Sequence, residues 1–560
     1  MRKCFKIIII SVLLIVSSLF STQIHVPIND PIYSYLDRMA TMGIVRNIFN
    51  DALPLNRGEI AESLKKIYEK KDQLSRVDRK ILYEYISDYR YEFGGKKHWK
   101  IKDNSNTYFR FSKGENFKND LKDIFTYRDN AEDLHLFTYE KNNELLWLDF
   151  DFYDRVEMQN KSFRTIGAMG FIISSQIGEH FSLYMDAYEY GQTTQEGFDY
   201  LSSEMSNPFN HIVEDIYFAD KSDAYIQYTS KLGSFTLGKE PLHWGNSDNS
   251  LILSKSDSNA SYAFIKWERK FYKSKFTFLH GSLLPKDSYI EQVSEREAYS
   301  NKYLVGHRWE FMPWDKFHLG FTEMVVYGER NPDLTYLIPS VFLWPSQHNL
   351  MDRDNTMMSF EFEYFPFNKM KLYGTWYLDE LSFDKLFSKW WGNKFGYQMG
   401  VHFTPKLSKL STDFIFEFTA VRPWTYTHKY SINSYTHAGE NLGFEYGPNT
   451  QLFHVQNRWW ITKRQTMTFE YQLLKRGIKS ASDTTSYVIG NDANQSYNNR
   501  NPEYDMSTDG LMGEVIDVNS FSMNWYYQLS NDLYINAKYK IRKIQEEIDN
   551  FVSLELRFKL

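Results

Sequence analysis

Residues 551–560 read FVSLELRFKL. Val552, Leu554, Leu556, Phe558 and Leu560 are apolar, and Ser553, Glu555, Arg557 and Lys559 between them are polar. Successive side chains of a strand point to opposite faces, so this alternation describes a strand with one dry face and one wet face. A soluble sheet can carry such a strand. A transmembrane barrel requires it, because lipid covers one face and the lumen the other. In lipid the sheet must also close, since an open edge leaves backbone groups without partners. The same period runs through 146–153, 181–188, 370–379, 467–473, 521–529 and 533–542.

The other end of the chain agrees with export. Arg2, Lys3 and Lys6 precede an apolar stretch over 7–19, and Ser17, Ser18 and Ser21 supply small residues near a cleavage site. This is the pattern of a secretory signal peptide, expected over 1–23 with cleavage after Ser21 or Gln23. Its apolar run falls short of the ~20 residues a spanning helix needs. The single cysteine, Cys4, lies inside it, so no disulfide or thiol chemistry is expected of the mature chain. No later stretch is long and apolar enough for a transmembrane helix. Yet 18% of residues are aromatic, beside 24% charged, a mixture that suits polar lumen residues with aromatic girdles at the membrane interfaces. A net charge of −6 gives no footprint for nucleic acid.

Residues 24–95 carry a different period. Asp30-Pro31 is a cap followed by proline at the first helical position, with Ile32, Leu36 and Met39 on one face and Gly43 as the stop. Asn56 and Glu59 have capping-box spacing before Ile60, Leu64 and Ile67. Ser75 starts a third helix with Ile81, Leu82 and Tyr85. Three short amphipathic helices make a small bundle, expected on the periplasmic side. Gly43-Ile44 with 55–60 is also similar to the surface-layer homology motif, which would imply contact with cell-wall-linked polymer; a bundle that caps the barrel is the plainer reading.

From about residue 105 the period becomes two. Short turns at 366–368, 463–464 and 530–531 contrast with longer polar connections at 191–222, 284–300, 328–354, 423–448 and 480–517. Short periplasmic turns and long outer loops are the asymmetry of an outer-membrane barrel. About 18 or 19 strand candidates, with the even number such barrels use, predict 18. The expected fold is an all-β membrane protein: an 18-stranded antiparallel transmembrane barrel over 96–560, with the small α-helical bundle at its N-terminus.

Three segments stand apart from the strands. One holds 237–246 with His243-Trp244-Gly245-Asn246, then 250–254. The second holds Glu323, Tyr327 and Tyr336, then Asp354-Asn355 and Tyr377-Leu378-Asp379. The third reads Arg422-Pro423-Trp424-Thr425-Tyr426-Thr427-His428, then Tyr435-Thr436-His437 and Asn441-Leu442-Gly443. Their order and spacing resemble the capsule assembly Wzi family of outer-membrane proteins over nearly the whole mature chain. The first segment departs from that pattern, which has paired tryptophans and a Gly-Pro-Gly turn where this chain has 243–246. The resemblance implies a lumen plugged by loops and a lectin-like role in the bacterial outer membrane: binding capsular or other exopolysaccharide and helping it attach to the cell. It implies no enzymatic activity. A porin or carbohydrate-passing channel is the alternative on the same fold.

Aromatic faces stack on sugar C–H surfaces, and carboxylates, imidazoles and guanidinium groups bond hydroxyls. Arg422, Trp424, Tyr426, His428, His437, Glu323, Tyr327, Tyr336, Trp244 and Asp379 are therefore candidates for polysaccharide contact. The competing reading is structural, because a plug must satisfy its own buried polar groups, and an Arg422–Glu323 pair would pin a loop. Trp390-Trp391 reads as interfacial girdle. Asp379-Glu380 and Glu323 lack any frame that would make them a hydrolytic pair. No serine motif frames an esterase. The 14 histidines show no metal-ligand spacing, leaving only Ca²⁺ in acidic loops as an open alternative. No cofactor is expected. The expected partners are polysaccharide, outer-membrane lipid and the barrel-assembly machinery, with the chain as a monomer.

Overall fold

In the computed structural model the described residues are 22–94, 107–110, 122, 124–127, 135–193, 198, 202–205, 210–255, 261–290, 297–385, 388–407, 410–508 and 510–560. The expected signal peptide, apart from its last two residues, lies outside them. Three helices come first: α1 (Pro31–Met42), α2 (Arg57–Glu69) and α3 (Arg76–Asp88). The wall strands follow: β1 (Glu144–Gln159), β2 (Ser162–Ile177), β3 (Phe181–Thr193), β4 (Ile216–Ser230), β5 (Gly233–Glu240) and β6 (Tyr262–Phe271). Next are β7 (Ser274–Leu283), β8 (Lys302–Trp314), β9 (Phe317–Gly328), β10 (Asn355–Tyr364), β11 (Met370–Glu380) and β12 (Lys394–Phe403). The ring ends with β13 (Leu410–Val421), β14 (Thr450–Thr462), β15 (Gln465–Ile478), β16 (Glu514–Gln528), β17 (Leu533–Ile544) and β18 (Glu547–Lys559).

Each strand pairs antiparallel with its neighbour, and β18 pairs back onto β1 from Phe551↔Gln159 to Lys559↔Asp151, so the 18-stranded sheet is closed. The alternation predicts which faces meet across that seam, and the register agrees. Val552, Leu554 and Leu556 are exposed on the outside. Inside, Arg557 Nε donates to Asp151 Oδ1 at 2.9 Å, and Arg155 lies 3.5 Å from Glu555. Charge-assisted bonds across the closing pair satisfy groups that would otherwise face the lumen alone.

The connections sort by rim. Turns such as 178–180, 231–232, 272–273, 315–316, 463–464 and 529–532 lie at one end. The long connections 194–215, 241–261, 284–301, 329–354, 381–393, 422–449 and 479–513 lie at the other, with two short turns at 160–161 and 545–546 beside the seam. Sequence reading missed 241–261 and 381–393. It also made the first long connection too wide, since β3 continues to Thr193 and β4 begins at Ile216.

The helix boundaries follow their caps. Asp30 accepts from Ile32 N, with Pro31 at the first position and Gly43 left-handed at the stop. Asn56 and Glu59 form the full capping box, and Ser75 accepts from Asp78 N. The bundle packs Ile32, Leu36, Met39, Ile60, Leu64, Ile67 and Leu82 together with Trp460 of β14. It is seated at the short-turn rim by ions. Arg38 bridges Asp78 (2.9 Å) and Asp413. Asp37 accepts from Lys371 at 2.5 Å and sits 2.8 Å from His402 Nδ1. Burial alone would raise the Asp37 carboxyl, but the two cations hold it well below the ordinary carboxylate range.

The lumen carries a second apolar core. His243-Trp244, reaching in from connection 241–261, pairs with Ala52-Leu53, which precedes α2. Leu251, Ile252 and Leu253 pack there with inward-facing Leu304, Met324, Val326 and Met357 of the wall. Burying that surface excludes water from this part of the barrel.

Candidate functional site

The structure distributes the ten candidate residues over three places. The first is the lumen core. Trp244 is 1% exposed and lies against Gly306, where an added Cβ would come within 2.8 Å of its ring. Tyr426 donates its hydroxyl to Leu251 O (2.9 Å), and its N–H donates to Asp379 Oδ2 (2.6 Å). Its ring stacks on Tyr435 at 5.6 Å and meets Tyr377 edge-on at 5.1 Å. His437 Nδ1 accepts from Leu284 N (3.1 Å). Burial, with Lys302 and Lys239 nearby, lowers this imidazole to about 4, so it is neutral at pH 7 and accepts as drawn. Below this core a polar cavity of about 110 Å³ separates the plug from the bundle, lined by Asp37, Asp51, His243, Asp248, Lys255 and Glu417 among others.

The second place is the outside of the wall. On β9 the inward positions are His318, Gly320, Thr322, Met324 and Val326, so Glu323, Val325 and Tyr327 point outward. They are buried because connection 329–354 folds down over them. Glu323 Oε1 accepts from Trp344 N (2.6 Å) at the start of α4 (Leu343–Asn349). Tyr327 OH meets His280 Nε2 at 2.8 Å, and Tyr336 OH donates to Asp354 Oδ2 at 2.8 Å. The envisaged Arg422–Glu323 pair does not form: Glu323 is taken by the backbone of α4, and Arg422 lies over Phe395 (5.0 Å) and bonds Thr508 O at the long-loop rim. Each instead holds a different loop.

The third place is the long-loop rim. Trp391, Trp424, Asp483, Thr485, Tyr487, Arg500, Asn501, Tyr504, Asp505 and Met512 line a pocket of about 150 Å³. The Arg500 guanidinium lies 3.9 Å over the Trp391 ring and is held by both Asp505 oxygens (2.8 and 3.0 Å). Tyr487 and Tyr504 are exposed. Trp424 closes the back, its N–H donating to Gly490 O (2.9 Å), while its indole N–H has no acceptor among the described residues. Arg422 stands behind, donating to Thr508 O (3.0 Å). His428 Nδ1 accepts from Tyr430 N (3.2 Å). Burial, Lys394 and Lys429 push this imidazole down to about 3.

Of the sequence candidates, Trp424 alone lines this pocket. Trp390-Trp391, expected at the girdle, sits in connection 381–393, with Trp391 turned into the pocket wall. Sequence reading does not single out Tyr487, Arg500 or Tyr504. The usable signal was there: 479–513 is a long connection whose polar run is interrupted by Tyr487, Tyr497 and Tyr504.

A closed strand ring, an outward apolar face, a lumen filled by its own loop and helices, and aromatic residues gathered at the long-loop rim define an occluded outer-membrane β-barrel. The chain belongs to the capsule assembly protein Wzi family, whose model matches residues 167–550. Among solved structures it is similar to Wzi of Escherichia coli, described as a carbohydrate-binding β-barrel involved in group 1 capsule assembly. Identity is 13% over 95% of this chain and 99% of that one, with a TM-score of 0.56. OprD of Pseudomonas aeruginosa matches at 10% identity over 74% of this chain and 95% of that one (TM-score 0.41). OpdK of the same organism matches at 7% over 74% and 98% (TM-score 0.42). No curated protein matches the chain.

Proposed function

We propose that this protein is a surface lectin of the outer membrane that binds capsular or another surface polysaccharide and helps hold it on the cell, without catalysing a reaction. The long-loop pocket carries the reading. It sets exposed Tyr487 and Tyr504 beside Trp391, Trp424, Arg500 and two carboxylates, the mixture of ring faces and hydrogen-bonding groups that grips sugars. Family membership and the described property of the E. coli relative support it. The apolar lumen core speaks against the channel alternative. On this reading residues 1–23 are a removed export signal, 24–95 lie in the periplasm, and the monomer is inserted by the barrel-assembly machinery. Purified protein should bind polysaccharide from its own cells, and a Tyr487→Ala/Tyr504→Ala variant should bind at least about tenfold more weakly, the loss of ~1.4 kcal/mol. Equal binding by the variant, or normal polymer retention on cells lacking the gene, would sink the reading.

A further inference from the structure

Connection 329–354 was expected as a polar outer loop. From Leu334 to Met351 it contains no Asp, Glu, Lys or Arg, in a chain where 24% of residues are charged. Its charges stand at the two ends, and there they are tied together. Arg330 donates to both Asp354 oxygens (2.8 and 2.6 Å), and Tyr336 adds its hydroxyl to the same carboxylate. The middle is wound up: a 3₁₀ turn over Leu334–Leu337, then α4. It is also two-faced. Tyr336, Leu343, Ser346 and Gln347 are buried against the outside of the wall, with Gln347 Oε1 accepting from Thr356 of β10 (3.2 Å). Leu334 (78%), Ile338 (50%), Phe342 (72%), Trp344 (49%) and Met351 (82%) are exposed on the other side.

The height of this segment on the wall decides what those side chains meet. Trp314 and Phe317 stack at the short-turn rim of β8 and β9 (5.1 Å), in the manner of an interfacial girdle. Above them on β9, the outward positions left uncovered are Leu319 and Phe321; from Glu323 upward the flap covers the wall. Residues 317–321 rise only ~10 Å at ~3.4 Å per residue and a tilt of ~40°. The lipid-facing band of such barrels is about 25 Å tall. In this sector the bare wall therefore supplies less than half of the band, and the flap lies where the rest must be.

We infer that residues 334–351 form an amphipathic flap immersed in the outer leaflet, with Leu334, Ile338, Phe342, Trp344 and Met351 among the lipid acyl chains. The 3₁₀ turn and α4, with Val341 N on Ile338 O (3.2 Å) between them, bond much of the backbone within the segment and so lower the cost of hydrocarbon contact. The polar groups beneath are bonded too: Glu323 by Trp344 N, Tyr327 by His280, and Tyr336 by Asp354. A lying amphipathic segment with aromatic and aliphatic residues on one face is the form interfacial helices take. The partner follows from continuity along the wall, because the outward positions next below the covered Glu323, Phe321 with its cross-strand neighbour Phe360 and then Leu319, already face lipid.

Site-directed quenching tests this in the whole mature chain with Cys4→Ser where that residue is retained. A bimane label on Phe342→Cys, reconstituted in phosphatidylcholine vesicles, should be quenched at least twofold more by nitroxide-labelled phosphatidylcholine than by aqueous iodide. A label on Tyr504→Cys at the long-loop rim should show the reverse. Iodide quenching at 342 equal to that at 504 would overturn the flap. So would protection at 342 that appears in detergent and grows with protein concentration, which would assign the face to a second copy. Should the label disturb folding, native Met351 gives an independent reading: aqueous chloramine-T should oxidise it severalfold more slowly in vesicles than exposed Met506, and equal rates would count against immersion.

Discussion

Trp424 and Tyr426 both hold a φ of +71°, a region that bulky side chains rarely occupy. The conformation persists because fixed partners over-determine it: Trp424 N–H on Gly490 O, Tyr426 N–H on Asp379, and the Tyr426 hydroxyl on Leu251 O. The sequence marks Arg422–His428 as unusual but does not say which residue reaches outward. That depends on backbone handedness at two positions, which turns Trp424 toward the pocket and Tyr426 into the lumen. Histidines in the same loop make the packing sensitive to acid. His428 and His437 are held near 3 and 4, while a released loop would titrate near 6.5. Between pH 6.5 and about 4 the released state takes up protons that the packed state refuses, so packing weakens as pH falls and is fully retained above 6.5. Hydrogen exchange over 423–448, corrected for intrinsic rate, should show more opening at pH 5 than at 7.5. A His428→Gln/His437→Gln variant should flatten the difference.

The three helices were legible down to their caps because capping chemistry is local: Asp30, Asn56 and Ser75 each reach a backbone N–H within three residues. Strands were legible where one face is wet, as in β1, β3, β11 and β15–β18. Between β4 and β10 the alternation blurs, and β9 shows why. Met324 and Val326 face the apolar plug while Val325 and Tyr327 face the flap, so both faces are dry and period two disappears. The seat of the bundle was not legible either, since Arg38 meets Asp413 across 375 residues. Arg38→Leu leaves Asp78 buried without its cation and Asp413 with only His402 (3.5 Å), and should cost about 3–5 kcal/mol. Limited proteolysis should then cut α1–α3 readily while the barrel keeps its heat-modifiable mobility on gels. An uncut bundle would show that the apolar contacts with Trp460 are enough to hold it.

On the scale of the whole chain, the strand number was readable because antiparallel closure admits only even counts, and because β18 keeps its pattern to its last residues. How the lumen is filled was not, because the pairing of Ala52-Leu53 with His243-Trp244 joins segments with no mutual pattern. Removing residues 551–560 takes away β1's partner along the seam. That variant should yield no heat-modifiable folded species in vesicles, whereas replacing the outward Leu554 by valine should leave folding unchanged.

The same lumen pairing has a mechanical side. The long loops are tied to the plug by Tyr426 and Tyr435, which donate to Leu251 O and Ile252 O, and by Ser254 N on Leu442 O. The plug is tied in turn to Ala52-Leu53, and through α1–α3 to the ion pairs below the rim. An outward pull on the outer surface thus enters a load path that runs through the barrel's axis and ends in a bundle braced against the opposite mouth. Tension is borne by a stopper as well as by the wall's grip on lipid, an arrangement suited to the polymer-holding role proposed above.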